Sequence, residues 1–146
     1  MLVRPVVLAD IPAIMDLAHH AVTAARWSRE QYDRVLADPS RRALVIEESG
    51  WVRGFLMARH VASEWEIENL AIAGSARRRG LGTRLLVEFL GQVQAQGALA
   101  VFLEVRESNR AARMLYEKWA FAESGRRPGY YHGPEEAAIL YRLPLA

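Results

Sequence analysis

The chain has 146 residues, 51% of them hydrophobic and 25% charged, which fits one globular domain that buries roughly two-thirds of its unfolded surface. It has no cysteine, which excludes a disulfide framework, a thiolate nucleophile and a cysteine-ligated metal. The net charge is only +2 despite a pI of about 9.3, and the arginines are scattered apart from Arg41-Arg42, Arg77 to Arg79 and Arg126-Arg127, so direct nucleic-acid binding is not expected.

Met1 to Pro5 lacks the charged region, apolar run and cleavage site of a signal peptide. No apolar run approaches the roughly 20 residues that span a bilayer, so a cytoplasmic protein without membrane contact is expected. Leu2 to Val6 reads as a strand, and Pro5 suits an edge position. Asp10 reads as a helix N-cap with Pro12 in the first turn, after which Ile11, Ile14, Met15, Ala18 and Val22 recur at helical spacing. Ser28 and Gln31 form a capping box for a second helix that stops at Asp38-Pro39.

Ala43 to Glu47 and Trp51 to His60 read as a hairpin around Ser49-Gly50, and Glu64 to Ala73 as a strand of mixed alternation. Gly82 to Gln96 is an amphipathic helix with Leu85, Leu86, Phe89, Leu90 and Val93 on one face and Gly97 at its end. Ala98 to Val105 is apolar enough for a central strand. Asn109 to Trp119 is helical with Ala112, Leu115 and Trp119 inward, and Phe121 to Tyr131 and Ala137 to Leu143 close the chain as two strands. That order predicts one α/β domain over residues 1–146, a mixed sheet with helices on its faces.

Two stretches carry chemistry. Arg77-Arg78-Arg79-Gly80-Leu81-Gly82-Thr83 runs into a helix, whose first N–H groups and partial positive charge suit an anion, while the glycines let backbone approach it. It fails the P-loop pattern, having Thr83-Arg84 after Gly82, and the dinucleotide fingerprint, having Leu85 where a third glycine is needed. A glycine-rich turn with solvated arginines is the competing reading. The second stretch puts Glu104 near a strand end and Tyr116 on the following helix. Singly, Glu104 is a salt-bridge partner for an arginine or a group facing a cleft, and Tyr116 a packed aromatic.

Together they suit acyl transfer to an amine. An α-amine of pKa about 7.7–8.0 has only a remaining ammonium proton to lose, and a carboxylate with a pKa raised by burial could take it. A phenol of pKa near 10 stays protonated and could reprotonate a leaving thiolate. A backbone N–H around Leu70 to Ile72 could receive the developing oxyanion. His19, His20, His60 and His132 show no metal-ligand spacing, and no metal is expected. Trp51, Trp65 and Trp119 read as core or sheet-face aromatics.

Glu68-Asn69-Leu70-Ala71-Ile72, Arg79-Gly80-Leu81-Gly82, Leu103 to Asn109, Leu115-Tyr116-Glu117 and the Arg126-Arg127 with Tyr130-Tyr131 segment resemble the bacterial ribosomal-protein-alanine N-acetyltransferases of the GNAT superfamily. The resemblance implies the GNAT fold, a mostly antiparallel sheet of six to seven strands flanked by about four helices. It implies acetyl-coenzyme A as co-substrate, held by Leu70, Ala71, Ile72, Arg77, Arg78, Arg79, Gly80, Leu81, Gly82, Thr83 and Asn109, with Glu104 as proton acceptor and Tyr116 as proton donor. It further implies a protein acceptor, the N-terminal alanine of a small-subunit ribosomal protein with a basic tail. Trp27 and Tyr131 are candidates for the acceptor groove, and Glu66 and Glu68 could attract the tail or be a solvated strand edge. Ala25-Arg26-Trp27-Ser28 departs from the family's Phe-Pro-Trp-Ser, and Trp119-Ala120 from its Leu-Gly. Acceptors kept open are a lysine side chain, a polyamine or another small amine; a coenzyme A-binding module without turnover is the non-enzymatic alternative. Oligomeric state is not legible in the sequence.

Overall fold

A computed structural model describes residues 1–20, 27–77 and 79–145. Its elements are β1 (Leu2–Pro5), α1 (Ile11–His20), α2 (Arg29–Ala37), β2 (Arg41–Glu48), β3 (Trp51–Val61), β4 (Glu64–Ile72), α3 (Leu81–Ala95), β5 (Ala100–Arg106), α4 (Arg110–Lys118), β6 (Ala122–Tyr131) and β7 (Glu136–Pro144). The order matches the sequence reading element for element. Among the described residues, seven strands form one sheet in the order β1-β2-β3-β4-β5-β7-β6, with four α-helices. Every neighbouring pair is antiparallel except β4 and β5, which are joined through α3 by a parallel crossover.

Two apolar layers cover the sheet. On one face Leu81, Leu85, Leu86, Phe89 and Val93 of α3 pack, with Tyr116 of α4, on Leu56, Trp65, Ile67, Val101, Leu103 and Tyr141. On the other, Ile11, Ile14 and Ala18 of α1 and Tyr32 and Val35 of α2 pack on Val45, Phe55, Met57 and Ala71. Successive strand residues alternate between these layers, so the two faces can be assigned residue by residue.

The N-cap reading of Asp10 is corrected. A single 3₁₀ turn at Leu8–Asp10 runs straight into α1, so helical geometry starts a turn early and Asp10 occupies its third position. Its Oδ2 accepts the Val7 N–H at 2.9 Å, and its two oxygens grip the Arg4 guanidinium at 2.8 and 2.9 Å. The Ser28–Gln31 capping box forms as expected: Ser28 Oγ accepts the Gln31 N–H, and Gln31 Oε1 the Ser28 N–H. On α4, Ala112 and Leu115 are half-buried, as is Trp119 at its C-cap, and Tyr116 is the buried residue. Val22, Ala25, Arg26 and Arg78 lie outside the described residues. No described helix is long and apolar enough to cross a membrane.

Candidate active site

The site begins with a defect in strand pairing. β4 and β5 are paired only from Glu64 with Ala100 to Ile67 with Leu103; beyond that point both strands continue without each other. The pairing ends where the other edge of β4 is irregular. Its register against β3 slips at Glu68: Ala58 pairs with Ile67, but the next β3 residue, Met57, pairs with Asn69. One extra residue makes a β-bulge, which bends and twists the strand that carries it.

The bulge also reverses which side chains face which layer. Trp65 and Ile67 point into the α3 layer before it, whereas Leu70 and Ile72 do so after it, and Ala71 joins the α1–α2 layer. From Asn69 onward, alternate backbone N–H and C=O groups of β4 face the gap instead of a β5 partner. The predicted segment Leu70, Ala71 and Ile72 is thus one wall of an open slot.

The glycine–arginine loop lies at the end of that wall. Gly80 is the N-cap of α3 with φ +77°, a left-handed conformation that strains any residue with a Cβ, and as a glycine it makes no side-chain cap bond. The first N–H groups of α3, on Leu81, Gly82 and Thr83, precede the first intrahelical bond, from Arg84 N–H to Gly80 O at 3.1 Å. A Cβ on Gly82 would lie 3.4 Å from Leu115 Cδ2 and 3.7 Å from Ile72 Cγ1, so the helix start is in close contact with both α4 and β4. Leu81 is 1% exposed and offers only its backbone. Arg77 reaches back to the Ile72 carbonyl at 3.4 Å, and Arg79 holds Glu48, one contact being Nη1 to Oε1 at 3.0 Å. This loop fits a pyrophosphate: helix donors ahead of the first intrahelical bond, a glycine at each tight point and, in Arg77 and Arg79, cations beside them.

Glu104 and Tyr116 lie on opposite faces of the sheet. Leu103 and Val105 belong to the α3 layer, so Glu104 between them faces the α1–α2 side, just past the last β4–β5 pair. Its side chain is about one-fifth exposed, and Arg127 Nη2 lies 3.2 Å from its Oε1. Tyr116 is 4% exposed within the α3 layer, its ring between those of Phe121 at 5.4 Å and Tyr141 at 6.4 Å. Burial pushes its phenol well above the ordinary tyrosine value, so it stays protonated. α4 is fixed beneath it by a relay in which Arg113 Nε donates to Tyr141 Oη at 3.0 Å and Tyr141 donates to Glu117 at 2.5 Å. Asn109 caps α4, its Oδ1 accepting the Ala112 N–H at 3.2 Å.

The acceptor candidates are partly brought together. Trp27 and Glu68 line one cavity of about 360 Å³ with Gln31, Arg34, Val35, Asp38 and Arg41. Glu66 and Glu68 lie on the same face, but neither is a free anion: Arg59 Nε is 2.8 Å from Glu66 and Arg41 Nη1 is 2.7 Å from Glu68. The idea that bare carboxylates attract a basic tail is therefore weakened. Burial nevertheless pushes the Glu68 carboxyl up, against the pull of Arg41 and Arg59. Tyr131 is half-buried on the far side of the slot; burial, then the Glu104 charge, push its phenol up, and the Arg106 guanidinium covers its ring at 4.4 Å.

Two features escaped the sequence reading: the bulge at Glu68 and the identity of the arginine, Arg127, in the salt bridge that the sequence offered as one reading of Glu104. The first did leave a signal, since the apolar positions of β4 change from odd to even numbers between Ile67 and Leu70. The salt bridge joins residues 23 positions apart across β7 and leaves no local pattern.

Residues 11–121 match the Acetyltransferase (GNAT) family. The [ribosomal protein bS18]-alanine N-acetyltransferase of Escherichia coli K12 is 30% identical over 141 residues, covering 94% of this chain and 93% of that protein. The crystal structure of the Escherichia coli ribosomal-protein-S18-alanine N-acetyltransferase has a TM-score of 0.90 at 28% identity, covering 99% of this chain and 94% of that one. The Arabidopsis thaliana NAA60 structure, in complex with a bisubstrate analogue, shares the fold at a TM-score of 0.87 and 18% identity, covering 98% and 97%.

Proposed function

Since the chain belongs to the acetyltransferase (GNAT) family, whose donor is acetyl-coenzyme A, and is an N-acetyltransferase of that kind, we propose that it acetylates the N-terminal α-amine of a protein. The acceptor we favour is the N-terminal alanine of a small-subunit ribosomal protein in the cytoplasm, as the names of the similar enzymes suggest. One observation carries the reading: a slot between two strands with a carboxylate on one face of the sheet and a protonated phenol on the other.

The Leu81, Gly82 and Thr83 N–H groups, with Arg77, Arg78 and Arg79 nearby, would hold the pyrophosphate. Leu70, Ala71 and Ile72 would offer backbone groups along the slot, one N–H lying where negative charge develops on the acetyl oxygen. Bound there, acetyl-coenzyme A supplies a thioester-linked acetyl group and a thiol leaving group. Glu104 accepts the ammonium proton of the acceptor at a carboxylate oxygen. The freed amine nitrogen would bond to the acetyl carbon as the carbon–sulfur bond breaks; the Tyr116 hydroxyl would give its proton to the departing sulfur, and the second proton shed by the nitrogen would pass to solvent while solvent reprotonates the phenolate. No covalent enzyme intermediate is needed. Trp27, Glu68 and Tyr131, on the Glu104 side, would contact the acceptor chain.

Thiol release in the presence of acetyl-coenzyme A tests the assignment. The acceptors are a basic peptide with a free N-terminal alanine, the same peptide blocked at its N-terminus but carrying internal lysines, and spermidine. The free-alanine peptide is expected to have the highest kcat/KM; preference for the blocked peptide or for spermidine would overturn the α-amine assignment.

A further inference from the structure

We propose that Arg127 is a specificity-determining residue: its guanidinium is a resident cation on the Glu104 carboxylate, and an acceptor amine enters by displacing it. The inference rests on the acetyltransferase reading and adds a competitor built into the site.

Arg127 pairs with Ala138, which pairs in turn with Arg106, so it lies on the same face of the sheet as Glu104; β6 is irregular just beyond it. Arg127 pairs with Ala138 of β7, yet the next recorded pair is Tyr131 with Glu136, so four steps of β6 oppose two steps of β7. A regular strand would separate residues 127 and 131 by about 13 Å; a two-step span is about 7 Å. The excess chain, Pro128-Gly129-Tyr130 with Gly129 at φ +62°, is taken up in the bulge. Arg127 and Tyr131 both address the same carboxylate: the guanidinium lies 3.2 Å from Glu104 Oε1, and the Glu104 charge acts on the Tyr131 phenol.

A protonated amine needs the position that the guanidinium holds. Both are cations seeking the same carboxylate oxygen, and a carboxylate already paired offers less to a second cation. Arg127 can leave: its side chain is 55% exposed, β6 is an edge strand, and the Tyr130 ring, 5.4 Å from the guanidinium, provides a face to rest on. Once acetylated, the acceptor is a neutral amide with no claim on Glu104, so the return of Arg127 favours product departure. The neighbouring Arg126 is engaged differently, with Glu107 beyond the end of β5, and gives a control of equal charge.

The test measures steady-state kinetics of wild type, Arg127→Ala, Arg127→Lys and Arg126→Ala with the free-alanine peptide. Removing an exposed ion pair should lower the acceptor KM of Arg127→Ala about two- to fivefold. The KM for acetyl-coenzyme A and kcat should stay within about twofold of wild type, Arg127→Lys should restore the higher acceptor KM, and Arg126→Ala should leave it unchanged. A fall in kcat without a change in acceptor KM would make Arg127 a positioning group for Glu104 and overturn the inference. A raised acceptor KM would make it an acceptor-binding residue, with the same result, and equal KM decreases in the Arg126 and Arg127 variants would reduce the effect to net charge. Should wild type release no thiol with any amine, the acetyltransferase reading fails and takes this inference with it.

Discussion

Glu104 and Tyr116 stand on opposite faces of one sheet, and the unpaired ends of β4 and β5 leave the passage between them. In the proposed reaction a base and an acid so placed would not exchange a proton directly, and each would meet a different partner: the amine on the α1–α2 side and the thiol on the α3–α4 side. Glu104→Gln and Tyr116→Phe should each lower kcat by roughly 10²–10⁴. Stopped-flow thiol release with saturating substrates checks this, and near wild-type rates in both variants would leave the two residues with binding roles only.

The bulge at Glu68 is expected to create the slot. Deleting residue 68 restores unbroken alternation along β4, which would turn Leu70 and Ile72 toward α1–α2 and let β4 pair further along β5. The deletion should abolish acetyl-coenzyme A binding in calorimetry while far-UV circular dichroism still reports a mixed α/β fold. Binding at wild-type affinity would show that the splay has another origin.

Gly80 and Gly82 should fail in different ways when given a side chain. Gly80→Ala forces a Cβ into a left-handed conformation at a cost of about 1–2 kcal/mol, so it should lower Tm by a few degrees. At Gly82 an added Cβ meets Leu115 and Ile72 at ordinary contact distances, so Gly82→Ala should keep its Tm while raising the KM for acetyl-coenzyme A, because it thickens the backbone surface beside the pyrophosphate. Thermal melts of the free protein beside donor-dependent kinetics separate the two.

Asp10 is the main acid-sensitive lock of the N-terminus. The Arg4 hydrogen bonds, followed by the Val7 N–H, hold its carboxyl below the ordinary value although burial opposes them. A folded pKa below the unfolded one means that its contribution is complete above the unfolded carboxylate value of about 3.9 and fades as pH falls from there through the folded pKa. Asp10→Asn should cost about 2 kcal/mol at neutral pH, since it leaves the Arg4 guanidinium without its bidentate partner. Urea melts at pH 7 and pH 3 should show the variant's deficit shrinking at the lower pH; an unchanged deficit would exclude charge as its cause.

Much of the fold was legible because each element carried its own punctuation. Ser28 with Gln31, Ser49-Gly50 and Gly97 mark ends, and Leu85 to Val93 announce α3 by periodicity. The error at Asp10 arose because an aspartate serves equally well as a cap or as the third residue of a turn that reaches back to its cap, and the difference depends on Arg4 across the strand. The glycine loop was legible as an anion seat, since that chemistry is local to a helix start. The acceptor side was not: whether Glu66 and Glu68 are bare or paired is decided by Arg59 and Arg41 on neighbouring strands, at distances that only the sheet register sets.

The glycine cap on α3 reaches beyond catalysis. A helix whose N-cap is glycine has no cap side chain of its own, and so leaves part of its stabilisation to be supplied by other groups. Donor binding and folding then share one equilibrium: at a hundredfold excess over Kd, a ligand that binds only the folded chain adds about 2.7 kcal/mol to its stability.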